Sequence, residues 1–280
     1  MGTMTDNLLR VMTWNLRDGG VEPDGSYRRW ERQAARIAQV APDVLLLQEC
    51  KGWDARGAEQ LYRAEAGTGM RGFLAPARMT GSHLAAFIGD RVRAVRFDHG
   101  HEAVSWHAQC ALRLRVSGHE AELVVVNVHL SPFSEEHRLT EAGLLTRFAA
   151  DGVRSVVAGD FNSVPWGDPE PVLAGPEAGV WAVPAPPGEP TRADRRVSLR
   201  LLQAGFADAA AASGAPLRAT TDLFRGDLVY VSPLLRDSVV ACRTLDDPAR
   251  PGEPPLSDHL AVVVDLDLDA ATTAADDRGA

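Results

Sequence analysis

Lysine is almost missing from this chain of 280 residues: Lys51 is the only one, and arginine carries nearly all the positive charge. Acidic residues outnumber basic ones, 38 to 29, for a formal net charge of −9. A field of that sign repels polyanions at long range and argues against a broad, non-specific grip on DNA or RNA. Cysteine is scarce as well. Cys50, Cys110 and Cys242 are odd in number and widely spaced, so neither a disulfide framework nor a zinc pattern fits them. Inert thiols in a reducing cytosol are the expectation. No apolar run is long enough to span a bilayer, and residues 1–10 hold no apolar stretch of the signal-peptide kind. The expected location is the cytoplasm, the expected state a monomer.

The remaining composition suits a large folded core. Hydrophobic residues make up 45% and charged residues 24%, ordinary values for a globular protein, and β-rich folds of this length form single units. Short β-branched and leucine-rich runs at 9–14, 44–47, 84–88, 92–97, 111–116, 123–128, 155–158, 228–231, 238–241 and 260–266 predict buried strands. Helices are predicted over 27–40, with Trp30, Ala34 and Ile37 on one face, and from a Ser134 N-cap to about Ala149, burying Leu145 and Phe148. A third covers 195–204, with Leu199 and Leu202 on its apolar face and Gly205 as its stop. Strands and helices mix without strict alternation, which predicts an α/β or α+β fold. Residues 165–190 and 246–255 read as loops, and the end of the chain as a disordered tail.

Chemistry concentrates where polar residues interrupt the apolar strands. Asn15 closes one run, Glu49 a second, His129 a third, and Asp160 with Asn162 follow a fourth. Asp227 precedes Leu228-Val-Tyr-Val, and Asp258-His259 precedes Leu260-Ala-Val-Val-Val. Charged groups beside such strands are costly unless paired, solvated or metal-bound. Each residue alone has an ordinary reading as a strand end, a turn or a satisfied core group; their joint occurrence carries the weight. Glu49, Asp160, Asp258, Asn15 and Asn162 are hard oxygen donors of the type that suits Mg²⁺ or Mn²⁺. The histidines add proton transfer and charge stabilisation, and Asp227 could orient His259.

Thr13-Trp-Asn15, Gln48-Glu49, Asn127-Val-His129-Leu130, Gly159-Asp-Phe-Asn162 and Ser257-Asp-His259 resemble, in order and spacing, the signature of the endonuclease/exonuclease/phosphatase superfamily. The resemblance runs from about Leu9 to Leu266. It implies two packed, mainly antiparallel β-sheets flanked by helices, a catalytic unit over 8–268 with a tail at 269–280, and hydrolysis of a phosphoester. It further implies that Glu49 is the main metal ligand with Asn15 close by. Asp160 would activate or position the attacking water or serve a second metal. Asn162 and His129 would hold phosphate oxygens, Asp258 would support the metal site, and His259 paired with Asp227 would contact the phosphate or act as base. One departure stands out. Gly226-Asp227-Leu228 lacks the basic residue and isoleucine that many relatives place before this aspartate, which leaves Asp222 as a rival.

Other patterns are set aside. Gly67-Thr-Gly-Met-Arg-Gly72 fits a dinucleotide fingerprint literally but follows a helical segment, so a loop is expected. Asp265, Asp267 and Asp269 lack the glycine and distal glutamate of a calcium loop. His83, Trp106 and His107 could line a substrate cleft, but they carry no pattern, so core or surface roles are the expectation. The favoured substrate is a small or lipid-linked phosphoester. The alternative is a nuclease with the same site, whose basic groove would come from arginines 28, 29, 32 and 36 or 192, 195, 196 and 200. A binding module without activity is disfavoured by the intact polar set.

Overall fold

The chain is β1 (Leu8–Asn15), α1 (Arg28–Val40), β2 (Val44–Gln48), α2 (Ala55–Thr68), β3 (Arg71–Ala75), β4 (Leu84–Ile88), β5 (Val92–Gly100), β6 (Gln109–Val116), β7 (Leu123–His129), α3 (Glu135–Leu145), β8 (Ser155–Asp160), α4 (Ala178–Trp181), β9 (Ala182–Val183), β10 (Arg192–Ala193), α5 (Arg196–Gln203), β11 (Ala207–Asp208), α6 (Ala209–Ala212), β12 (Asp227–Val231), β13 (Val239–Thr244) and β14 (Val262–Asp267), with 3₁₀ turns between some of them. This computed structural model describes residues 8–100, 104–173, 178–183, 189, 192–246 and 253–271.

The strands form two six-stranded sheets, β13-β14-β1-β2-β4-β3 and β11-β12-β8-β7-β6-β5, beside a short β9–β10 ribbon. Each sheet has one parallel pair, β1 with β2 and β7 with β8; all its other pairs are antiparallel. Parallel neighbours need a crossover. Here α1 connects β1 to β2 and α3 connects β7 to β8. The carboxyl ends of both pairs therefore reach one rim. β12 and β14 run antiparallel to β8 and β1 and begin at that rim, where Asp227 pairs with Asp160 and Val262 with Thr13.

Both faces of the central strands are covered, which is why their sequences are continuous apolar runs rather than alternating ones. Leu9, Val11, Val44, Leu46, Val125, Val156, Ala158, Val229, Val231 and Val264 fill the layer between the sheets. Met12, Trp14, Leu45 and Leu47 pack outward against Trp30, Ala34 and Ile37 of α1. Val126, Val128 and Val157 pack outward with Ala142 and Leu145 of α3 and Val197 and Leu201 of α5. Each such large side chain fully buried contributes about 1.5–3 kcal/mol. The result is four layers, helix, sheet, sheet, helix, as the resemblance implied.

Several local expectations change. The apolar face of α5 is Val197 and Leu201; Leu199 is only half-buried and Leu202 packs at the margin. Two positions four apart on one face meet α3, whereas Leu199 lies round the helix from them. α3 stops at Leu145 and continues as a 3₁₀ turn over Thr146–Ala149, while Ser134 caps its start by accepting from the His137 amide at 3.2 Å. The Gly67–Gly72 segment is no loop: it holds the end of α2, a left-handed cap at Gly69 and the start of β3. β14 starts at Val262 rather than at 260. The stretch 165–190 holds α4 and β9, tied to β10. Residues 268–271 turn helically and bury Ala271, so the tail expectation fails there; its remainder, 272–280, and positions 247–252 of the second loop lie outside the described residues.

Gly159 marks the tightest approach in the sheet. Its φ is +146°, and a Cβ there would sit 1.9 Å from the Val128 carbonyl oxygen of the neighbouring strand. Gly159→Ala is therefore expected to destabilise the fold by about 2–4 kcal/mol, the range of severe backbone and overpacking lesions. A denaturant melt checks this; an unchanged midpoint would mean that β7 and β8 have room to separate.

Candidate active site

Alternation along the strands sets where the polar groups fall. Leu9 and Val11 face the inter-sheet layer, so Thr13 and Asn15 continue on that face. The same parity applies to Gln48 after Val44 and Leu46, to Asn127 and His129 after Leu123 and Val125, to Asp160 after Val156 and Ala158, and to Asp227 before Val229 and Val231. The layer between the sheets is thus apolar through its depth and polar at one rim. Buried polar groups need partners, and these find them across the gap. Gln48 Nε2 donates to Asn127 Oδ1 at 2.6 Å and to Thr13 Oγ1 at 2.9 Å. Asn127 Nδ2 donates to the Leu47 and Ala85 carbonyls, each at 2.9 Å. This network fixes the end of β2 against the end of β7.

At the rim itself, Asn15 is fully buried and its Nδ2 donates to Asp160 Oδ2 at 3.1 Å and to Glu49 Oε1 at 3.4 Å. Glu49 would point the wrong way if β2 continued. Its left-handed backbone, φ 56°, breaks the alternation and turns the carboxylate back to Asn15. Such a conformation costs of order 1–3 kcal/mol for a non-glycine residue, so the surroundings must hold it. They do: Glu49 Oε2 accepts from the Asp18 amide at 3.0 Å and lies 3.3 Å from Lys51 Nζ. Burial opposes the charge, but the Asp18 amide, the His129 imidazole and Lys51 outweigh it and hold the Glu49 carboxyl down at about 2.

Asp160 is the hub of the opposite sheet. Its Oδ1 accepts from the Asn162 amide at 2.9 Å, and its Oδ2 lies 3.4 Å from His129 Nε2 and 3.9 Å from His259 Nε2. Asn162 is left-handed, φ 46°, and donates one amide hydrogen to the Leu130 carbonyl at 3.1 Å, leaving a second donor for a ligand. His259 Nδ1 lies 2.8 Å from Asp227 Oδ2. Burial disfavours the imidazolium, yet Asp227 and Asp160 outweigh it and push the His259 pKa up to about 10. Asp227 therefore takes the partner role; its rival Asp222 is exposed. Ser257 Oγ donates to the Asn15 carbonyl at 2.7 Å and Trp14 Nε1 to the His259 carbonyl at 3.0 Å, which anchors the His259 loop to β1.

Asn15, Glu49, His129, Asp160, Asn162, Asp227 and His259 thus meet at one rim. Asp258 stands apart from them: its carboxylate is half-exposed, faces Arg17 Nε at 3.6 Å and accepts from Ser257 Oγ at 3.3 Å. Asp160, Asp227 and His259 also bring ligand atoms within 4.8 Å of one another. A metal there would need the neutral imidazole, and His259 Nδ1 is engaged by Asp227 Oδ2 at 2.8 Å. The donors that fit a hard divalent cation are the carboxylates of Glu49 and Asp160, bridged by the Asn15 amide nitrogen, while Asn15 Oδ1 accepts from the Arg17 amide at 3.0 Å.

Sequence reasoning missed several supporting residues. His107 is buried and stacks on His129, ring centroids 4.1 Å apart at 22°, with its Nδ1 2.8 Å from Thr80 Oγ1. Its burial agrees with the expected core role, and the stacking places it against His129. Burial and the neighbouring His129 push its pKa down to about 2, so it is a neutral ring. His83 is a structural group, linking the Ala77 amide at 2.9 Å to Asp54 at 2.9 Å. Thr220 Oγ1 accepts from the Gly226 and Asp227 amides at 3.0 Å each, and its carbonyl accepts from Leu260 N at 2.7 Å, joining the strands that carry the Asp227–His259 pair. Arg225 is buried between Asp168 and Asp208, at 2.8 and 2.6 Å, and pins the loop after Asn162 to β11. Arg17, Asp18, Gly19 and Gly20 are all left-handed; only Asp18-Gly-Gly hinted at such a turn. No pattern marked the others, because their partners lie far off in sequence.

The Endonuclease/Exonuclease/phosphatase family model matches residues 12–259. Solved structures share the fold at low identity. An endonuclease/exonuclease/phosphatase family protein from Bacteroides thetaiotaomicron is 17% identical with a TM-score of 0.67, covering 92% of this chain and 94% of its own. A mannosyl-6-phosphatase from the same organism is 17% identical with a TM-score of 0.66, covering 91% and 98%. Truncated Caenorhabditis elegans TDP2 is 18% identical with a TM-score of 0.62, covering 92% and 97%. No curated protein matches the sequence.

Proposed function

The chain belongs to the endonuclease/exonuclease/phosphatase family, and from that premise we propose that it is a Mg²⁺- or Mn²⁺-dependent hydrolase of a small or lipid-linked phosphoester. Residues 8–268 would form one catalytic unit, consistent with an inter-sheet core drawn from Leu9 to Ala271. The observation that carries the activity is the contact of Asn15 with both Glu49 and Asp160 across the two sheets, beside the His259–Asp227 pair.

Glu49 and Asp160 would hold the divalent cation, with Asn15 close by positioning both carboxylates; when bound it would supply positive charge to the phosphoryl oxygens. Phosphoryl transfer relies on positioning and charge stabilisation, and the remaining side chains supply both. Asp160 is an acceptor next to two imidazoles, suited to orient the attacking water and draw off its proton. His259, kept protonated by Asp227, offers Nε2–H to a phosphoryl oxygen. Asn162 offers its second amide hydrogen, and His129 its Nε2 side, to the same group. The stacked His107 and the Gln48–Asn127 network hold the His129 end of β7 in place before substrate arrives, so little reorganisation is left for the reaction.

A net charge of −9 with one lysine supports a small substrate over duplex DNA, because polymer affinity comes from many basic contacts that displace counterions. The fold shared with a mannosyl-6-phosphatase supports the same class. Turnover of plasmid and oligonucleotide should be compared with that of small monoesters and diesters at equal metal and low salt. Small substrates are expected to be the better ones. Efficient, strongly salt-sensitive DNA cleavage without small-substrate turnover would replace this reading with a nuclease.

A further inference from the structure

An aromatic pair lies on the segments that lead into His107 and follow His129, and it belongs to none of the core clusters. Phe133 is 68% exposed, four residues past His129. Its ring meets Trp106 edge-on, centroids 5.6 Å apart, and the His137 ring also meets Trp106 edge-on at 5.8 Å. Trp106 immediately precedes His107, the ring stacked on His129. A single exposed apolar residue needs no explanation. This one is held in place. The Glu141 carboxylate, buried under both loops, accepts from the Trp106 amide at 2.7 Å and from the Ser131 amide at 2.8 Å. One buried carboxylate therefore sets the two loops that carry the pair, and both loops attach directly to the His129 end of the site.

Resting on the phosphoester reading above, we propose that Trp106 and Phe133 form a platform for the group esterified to the phosphate, and that this group carries a flat aromatic ring. The reason is geometric and electrostatic. A preorganised edge-to-face pair offers a third ring a quadrupole partner as well as apolar area, and a saturated ring of equal size gains only the area. The shared chemistry is the arene; a simple aryl or benzyl group and a nucleobase are its two sources.

The test measures binding, so it does not depend on turnover. Benzylphosphonate and cyclohexylmethylphosphonate are titrated in magnesium buffer by calorimetry, alongside a nucleoside phosphonate and the matching ribose phosphonate. The wild-type protein is expected to favour the aromatic member of at least one pair by about threefold to tenfold, the ratio typical of an added aromatic contact. Preference in the first pair identifies a simple arene, preference in the second alone a nucleobase. Phe133→Leu keeps the apolar area and Phe133→Ala removes it; both should abolish the preference, and neither disturbs a buried contact. Equal affinity within both pairs, a preference that survives in both variants, or no binding by any phosphonate overturns the proposal. Phosphoester turnover measured on the same preparation shows whether the functional reading stands in that event.

Discussion

Glu49→Gln is expected to lower kcat/KM on any phosphoester substrate by on the order of 10²–10³ or more, the loss seen when one preorganised electrostatic contact is removed. The substitution keeps the shape and the hydrogen bond from Asp18 but deletes the charge. Held down at about 2, the Glu49 carboxyl is ionised at every working pH, and Asn15, its neighbour at 3.4 Å, brings no charge of its own. Without it too little negative charge is left on that side of the rim to retain a divalent cation. The thermal midpoint should hold, because the left-handed turn at Glu49 is also fixed by the Gly19 and Lys51 amides, which donate to its carbonyl at 2.6 and 2.7 Å. Steady-state kinetics with a parallel melt checks both halves; undiminished turnover would remove Glu49 from the mechanism.

Asp227→Asn should reduce kcat by about 10²–10⁴, with KM changing little, as when the aspartate behind a catalytic histidine becomes an amide. Asp227 lies 2.8 Å from His259 Nδ1 and is the strongest influence keeping the ring protonated against burial. Asparagine supplies no charge and leaves the imidazole free to lose its proton. The two residues act as a unit, so their losses should not add. The double variant Asp227→Asn with His259→Ala is expected to be no slower than His259→Ala alone. Additive losses would mean that Asp227 acts on the site by a second route.

Much of this arrangement was legible in the strands. Ten apolar runs each correspond to a strand; the central ones, such as β2, β4, β8 and β12, are covered on both faces and need continuous hydrophobic sequence, whereas β5 and β13 are largely half-buried or exposed. The site was legible for the same reason: a polar residue at the end of such a run, on the inward parity of Thr13 and Asn15 or of Asn127 and His129, has no cheap place to go. Glu49 is the instructive exception. Alternation alone would send it outward, and only the left-handed turn brings it in, a backbone state that glutamate does not advertise. Asp258 shows what a motif leaves open. It sits in the motif beside His259 and offers a carboxylate, yet faces Arg17 at the surface. Short elements escaped detection because two residues of β9, β10 or β11 carry no period. Thr220 and Arg225 were invisible because each acts through a partner supplied by tertiary folding, and the same holds for the stacking of His107 on His129.

The most direct measurement is hydrolysis of a panel of small phosphoesters by the purified protein, first with Mg²⁺ or Mn²⁺, then with excess chelator, then with metal restored. Release of phosphate or alcohol that falls to background in chelator, returns with the metal, and stays absent from Glu49→Gln is the predicted result. Turnover that persists in full in chelator, or no turnover of any phosphoester with either metal, would contradict it.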